Sequence, residues 1–148
     1  MYKRRLLRRG TQYSIFALDH YGRCPAEDFL KECKKDNIGA YKVFFRLFQR
    51  TADVGLIKND TQFKHVRNNL YEFKVDNLRI FCFIQGGNIL ILTNASKKAG
   101  KSKKQTADIE RAEKLRDEYI RTLSVNRFHI LQGEKWKVKT GFKNSMKN

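Results

Sequence analysis

Residues 70–104 read LYEFKV-DN-LRIFCFIQ-GG-NILILTNASKKAGKSKK. Three β-rich runs are separated by two tight-turn signals, and the third run empties into a lysine cluster. Asp76-Asn77 and Gly86-Gly87 tolerate positive φ, as two-residue type I′ hairpin turns require. Those turns pair Val75 with Leu78, Lys74 with Arg79, Phe73 with Ile80 and Glu72 with Phe81. In the second hairpin they pair Ile84 with Ile89, Cys82 with Ile91, Phe81 with Leu92 and Arg79 with Asn94. Side chains alternate between the faces of a strand. One face then carries Tyr71, Phe73, Val75, Leu78, Ile80, Cys82, Ile84, Ile89 and Ile91, and is the expected core face. On the other, Leu70, Phe81, Phe83, Leu90 and Leu92 gather towards one end. Glu72, Lys74, Arg79 and Asn94 gather towards the opposite end, where Lys97 and Lys98 leave the third strand.

The rest of the chain is read around this meander. Residues 1–10, MYKRRLLRRG, read as a basic terminal arm. Tyr13 to Leu18 alternates and reads as the first strand of the same sheet. Pro25 suits the first turn of a helix, with Glu27 and Asp28 at its positive end; this helix should run to about Lys35 and bury Phe29, Leu30 and Cys33. Asn37 opens a second helix to about Val54. Its Tyr41, Phe44, Phe45 and Phe48 fall at i, i+3, i+4 and i+7, which marks core rather than a base-stacking platform. Gly55 suits its C-cap. Lys58 to Asn69 reads as a polar connection. After the meander, Ser102 with Gln105 offers a capping box for a helix to about Leu123, with Ile109, Ala112, Leu115, Tyr119, Ile120 and Leu123 as its apolar stripe. Glu110 with Lys114 and Asp117 with Arg121 are spaced as i, i+4 pairs. Past it, His129 to Leu131 and Lys135 to Thr140 could form a marginal hairpin, docked through Trp136. The reading divides the chain into a domain over 1–124 and a basic extension over 125–148.

Composition restricts the partners. The 148 residues hold 32 Lys+Arg against 15 Asp+Glu, a net charge of +17, which implies a polyanion such as nucleic acid, an anionic surface or an acidic protein. Hydrophobic residues at 41% and aromatics at 12% argue against disorder. Cys24, Cys33 and Cys82 have neither CxxC nor zinc spacing and read as reduced thiols. No apolar run is long enough to span a bilayer and no signal-peptide core is present, so a cytoplasmic protein is expected. His20, His65 and His129 are scattered, without metal-ligand spacing.

Lys74, Arg79, Lys97 and Lys98 converge on one sheet end, with Lys101, Lys103 and Lys104 nearby. A helix N-terminus follows, where backbone donors suit a phosphate. Like charges directly opposite each other destabilise a sheet, so a Lys74–Arg79 pair points to an anion that neutralises it.

FKHVRNNLYEFKVDNLRIFCFI (63–84) followed by ILTNASKKAGKSKKQTADIERAEKLRDEYI (91–120) resembles the RelE/HigB-type toxins of type II toxin–antitoxin systems, in their phage Gp49-like branch. The resemblance covers about Tyr13 to Leu123, most sharply Phe63 to Tyr119. It implies an α+β fold: an N-terminal strand, two antiparallel helices, a three-stranded antiparallel meander and a C-terminal helix. It also implies an endoribonuclease that cuts mRNA on the ribosome without metal or other cofactor. The ribose 2′-OH attacks the neighbouring phosphate, and a cognate antitoxin, expected to carry a helix-turn-helix, neutralises the toxin. Lys74 stands where the family motif has arginine. Arg79 matches the strand arginine, and Lys97 and Lys98 match the lysine pair. Ala95-Ser96 stand where the family often has glycine-phenylalanine or histidine. On this resemblance Arg79 and Lys98 would hold the scissile phosphate. Lys74 would be the general base, with His65 as the alternative. Lys64, Arg67, Lys97, Lys101 and Lys103 would follow the RNA backbone. A non-catalytic RNA- or ribosome-binding protein and a ParE-like toxin acting on a protein target are the competing readings.

Overall fold

The computed structural model describes residues 1–97 and 102–131, with side chains for 1–97 and 104–125. The elements run β1 (Tyr2–Arg9), β2 (Ser14–His20), α1 (Pro25–Asp36), α2 (Ile38–Val54), β3 (Phe63–Arg67), β4 (Leu70–Val75), β5 (Leu78–Gln85), β6 (Ile89–Lys97) and α3 (Ser102–Leu131). The strands form one mixed sheet in the order β1-β2-β6-β5-β4-β3. β2 and β6 are parallel and the other neighbours antiparallel. Helices α1 and α2 cover one face and α3 the other, so the architecture is α+β in three layers.

The meander is the middle of this sheet, not the whole of it. The supposed basic arm is the edge strand β1, paired with β2 from Tyr2↔His20 to Arg9↔Ser14. Its Arg5 bonds the carboxylates of Asp19 (2.7 Å) and Glu27 (2.9 Å), tying β1 to β2 and α1. The supposed connection before the meander holds the opposite edge strand, β3, aligned on β4 through Phe63↔Phe73 and His65↔Tyr71. Both edges carry charged residues, which protect an open sheet from further pairing.

The two helices on the first face form as their sequences indicate. Pro25 sits in the first turn of α1 with Glu27 and Asp28, and Leu30 and Cys33 are buried. Asn37 Oδ1 accepts from the Ala40 N–H and caps α2. Phe44, Leu47 and Phe48 are buried, Tyr41 and Phe45 are half-buried against them, and Gly55 ends the helix at φ +125°. The β1–β2 turn meets α2 closely: Gln12 and Tyr13 both donate their N–H to the Ala52 carbonyl. A Cβ on Gly10 would lie 2.3 Å from that oxygen.

The first hairpin has the expected register throughout, from Tyr71↔Cys82 to Val75↔Leu78. The second does not. Gln85 pairs with Ile89, leaving a three-residue loop, Gly86 to Asn88, with Gly86 at φ +63°. That one-residue slip exchanges faces. Leu90 and Leu92 pack with α1 and α2, while Ile91 packs with Phe16, Leu18, Phe83 and Leu115 under α3. A bulge then places Thr93 and Asn94 opposite Phe81, and pairing resumes at Ile80↔Ala95, Arg79↔Ser96 and Leu78↔Lys97.

Helix α3 continues to Leu131, past the expected end at Leu123 and across the proposed boundary at 124. Residues 129–131 are therefore helical rather than one arm of a hairpin; the other arm, with Trp136, lies outside the described residues. Ala112, Leu115 and Tyr119 are buried as expected, whereas Ile120 is exposed. Asp117 bonds Arg116 rather than Arg121, and Arg121 lies 4.0 Å from Glu118. The three cysteines are free and buried, and burial pushes their thiols up. Among the described residues no helix is long and apolar enough to cross a membrane.

Two outcomes follow for stability. Gly10→Ala forces the turn away from α2 and should cost about 1–3 kcal/mol, read as a lowered denaturation midpoint. Burial alone would raise Asp19, but the Arg5 guanidinium and the Gly22 N–H outweigh it and hold the carboxyl below its usual range. The Arg67 guanidinium lowers Glu113 in the same sense. A carboxyl depressed in the folded state contributes stability above its unfolded value and loses it as pH falls through the folded one. Melting temperature should therefore drop between about pH 5 and pH 3, and less steeply in Asp19→Asn than in wild type.

Candidate functional site

β2, β4 and β6 all finish at one end of the sheet, and the α3 side of that end is polar. Lys74, Arg79 and Ser96 lie in one cross-strand row. In the next row Lys64 pairs with Glu72, and Glu72 with Phe81. Because β3, β4 and β5 are in continuous register, Lys64, Lys74 and Arg79 share the α3 face with Glu72 between them. The bulge adds Asn94, whose Nδ2 donates to the Asp108 carbonyl of α3 (3.0 Å) and fixes that helix over the strand end.

Arg79 is buried, with only 6% of its surface exposed. Its Nη1 donates to the carbonyls of Asp76 (2.7 Å) and Leu78 (2.9 Å) in its own turn. Its Nε lies 3.3 Å from Glu72 Oε2, within ion-pair reach but not aligned as a hydrogen bond. Removing Arg79 would therefore take from Glu72 its one ion-pair partner among the described residues. Burial on the polar face thus makes Arg79 a structural residue as well as a cation of the site. Lys74 is half-buried, and its Nζ donates to the Asp60 carbonyl (3.1 Å). Glu72 Oε2, Asn94 Oδ1, Ser96 Oγ and Asp108 Oδ2 are buried there without a hydrogen-bond partner. The arrangement is a fixed, nearly neutral Arg79–Glu72 pair flanked by two more accessible ammonium groups and a set of free acceptors.

The other expected site residues are placed elsewhere. Lys97 pairs with Leu78 and so lies on the opposite face, 3.4 Å from Glu32 of α1. His65 also faces away from the Lys74–Arg79 row, edge-on to the Tyr71 ring and with Nε2 against the Asn68 carbonyl. Arg67, displaced by a bulge in β3, bonds Glu113 of α3. Lys98 and Lys101 lie outside the described residues, as does the side chain of Lys103. Ser96 enters the row only through the β6 bulge, so strict alternation could not find it. Among the described residues no group of three or more His, Cys, Asp or Glu side chains converges to hold a metal ion.

Residues 28–117, more than half of the chain, match the family described as Phage derived protein Gp49-like (DUF891). The chain belongs to the phage-derived Gp49-like family. That family is associated with RelE-like toxins. Among curated proteins, none matches the chain. The match runs from α1 through most of α3, so it takes in β3, β4, β5 and β6 and every described residue of the polar sheet end. It leaves out β1 and β2, which complete the sheet in this Gp49-like protein.

The buried pair can be tested by a double-mutant cycle. Arg79→Ala should destabilise by about 2–4 kcal/mol, because Glu72 keeps a buried charge without its partner. Glu72→Gln in the same background should recover part of that loss. Denaturation of the single and double variants measures the coupling; additive losses would mean that Glu72 and Arg79 do not act as a pair.

Proposed function

We propose that this Gp49-like protein is the toxin of a toxin–antitoxin pair and a metal-independent endoribonuclease acting on mRNA at the ribosome. The observation that supports the reading is the direct pairing of Lys74 with Arg79, with Lys64 on the same face, at the sheet end covered by the family match. Lys64, Lys74 and Arg79 outnumber the carboxylates of Glu72 and Asp108 at this end, and an anion would balance the excess. A phosphodiester supplies that charge. In the proposed reaction Lys74 takes the proton of the ribose 2′-OH as the oxygen attacks the adjacent phosphorus. The P–O5′ bond breaks and the leaving oxygen takes a proton from water, giving a 2′,3′-cyclic phosphate and a 5′-hydroxyl. Arg79, with Lys98, offsets the charge developing on the phosphoryl oxygens, and Lys64 holds the flanking backbone. The neutralising partner is a cognate antitoxin with a helix-turn-helix.

The burial of Arg79 and its engagement by Glu72 favour a second reading, in which the residue only orders the sheet end and the protein binds RNA without cutting it. Lys74 separates the two, because its side chain makes one peripheral bond, to the Asp60 carbonyl. Lys74→Ala should melt like wild type and cleave about a hundredfold more slowly in single turnover, the scale expected for loss of a positioned general base. The measurement is primer extension on mRNA in a translation reaction, with chemical identification of the new ends. Wild-type cleavage by Lys74→Ala removes the base from the proposal. Absence of any cleavage by the wild-type chain, with RNA still bound, replaces the enzyme by the binding protein.

A further inference from the structure

A second groove lies at the same sheet end on the β1–β2 side, between Tyr2, the turn after β2 and the flank of α3. It encloses about 650 Å³. Three rings stand along one wall. Tyr2 stacks on His20 with centroids 4.5 Å apart and planes 17° from parallel, and Tyr21 meets His20 edge-on at 4.7 Å. Arg23, Arg111 and Lys114 line the groove and have no ion-pair partner among the described residues. Arg121 is also present, 4.0 Å from Glu118. Glu118 is the groove's carboxylate, and it accepts the Tyr2 hydroxyl. Its charge is further offset by Lys114, Arg121 and His20, which with Tyr2 hold the carboxyl below its usual range.

Tyr21 is the anomaly in this wall. It is 74% exposed, and its backbone sits at φ +52°, in the left-handed region. Among the described residues the other non-glycine ones there are Asn68 and Asp76, whose short polar side chains tolerate it. A bulky aromatic does not, and such strain collects at binding sites. The conformation holds a large ring out in solvent in the groove that Arg23, Arg111 and Lys114 line.

We propose that this groove binds single-stranded RNA, with one base stacked on Tyr21 and the adjoining phosphates held by Arg23, Arg111 and Lys114. An exposed ring beside a basic track is the arrangement that takes single strands without reading sequence. A docked peptide would instead need apolar anchor sites. The groove's apolar lining besides its rings is Met1, Pro25 and Leu115, and Leu115 is buried. The inference shares RNA with the proposed function but needs no cleavage.

The probe is a short fluorescent 2′-O-methyl oligonucleotide, which lacks the nucleophile for strand scission, titrated with the full chain. Tyr21→Gly should weaken binding about tenfold while leaving the melting temperature unchanged or raised, because glycine relieves the left-handed strain. Tyr21→Trp should bind at least as tightly as wild type. Arg111→Ala with Lys114→Ala should flatten the slope of log affinity against log salt by roughly 1.4, about 0.7 per lost phosphate contact. Unchanged affinity in Tyr21→Gly, or an unchanged slope in the double variant, overturns the site. So does an acidic peptide that binds through Tyr21 where the oligonucleotide does not. A wild-type chain that binds through Tyr21 and cuts nothing keeps this site and removes the endoribonuclease. A chain that cuts RNA while Tyr21→Gly binds normally does the reverse.

Discussion

The pairing of β5 with β6 sets what both helical layers meet. Each residue of β6 faces either α1 and α2 or α3, and one step of register exchanges the two sets. The three-residue loop sends Leu90 and Leu92 to the first layer and Ile91 to the second. The bulge opposite Phe81 then consumes one further residue. It turns two adjacent polar side chains, Thr93 and Asn94, into structural ties: Thr93 Oγ1 donates to the Phe81 carbonyl and Asn94 Nδ2 to Asp108 of α3. It also brings Ser96 beside Arg79 and sends Lys97 to α1. The apolar core and the polar end are thus both consequences of one ladder.

The charge surplus has a definite distribution. Four buried or half-buried carboxylates are engaged by arginines: Asp19 and Glu27 by Arg5, Glu72 by Arg79, Glu113 by Arg67. These pairs join separate elements, β1 to β2 and α1, and β3 to α3. Part of the acidic minority is therefore used inside the fold. The cations left over are the ones available to a polyanion, and both the Lys64–Lys74 face and the Arg111–Lys114 flank are drawn from them.

The first hairpin was legible because Asp76-Asn77 is short, and Asp76 does adopt positive φ. The second was not, because Gly86-Gly87-Asn88 is equally compatible with two- and three-residue loops and β-branched or aliphatic residues continue on both sides. Helices α1 and α2 were legible from the spacing of Phe44 and Phe48 and from Pro25 and Asn37. β1 was hidden by its composition: five basic residues in YKRRLLRR look like a solvated arm. Their partners, Asp19 and Glu27, lie in other elements, so no local pattern reveals them. β3 was hidden for the same reason. Of the candidate site, Lys74 opposite Arg79 was visible from the turn. The separation of Lys97 and His65 from that row depended on strand pairings that the sequence alone left open. Tyr21 carries no sequence signal, because a left-handed tyrosine looks like any other.

The two cations of the central row cannot do the same work. Arg79 is withdrawn from water and already balanced by Glu72, so its field at a neighbouring phosphate is that of an oriented dipole more than of a free charge. In a poorly solvated setting such a dipole is fixed before the anion arrives and needs no reorganisation. Lys74 retains solvent and a flexible stem, and its single bond to the Asp60 carbonyl is easily exchanged. It can move onto an oxygen and return. Arg79 cannot do this without breaking two bonds to its own turn. In the proposed reaction the rigid guanidinium at the sheet end would position the phosphate and the mobile ammonium opposite it would react, with Glu72 of the next row offsetting the charge of the first.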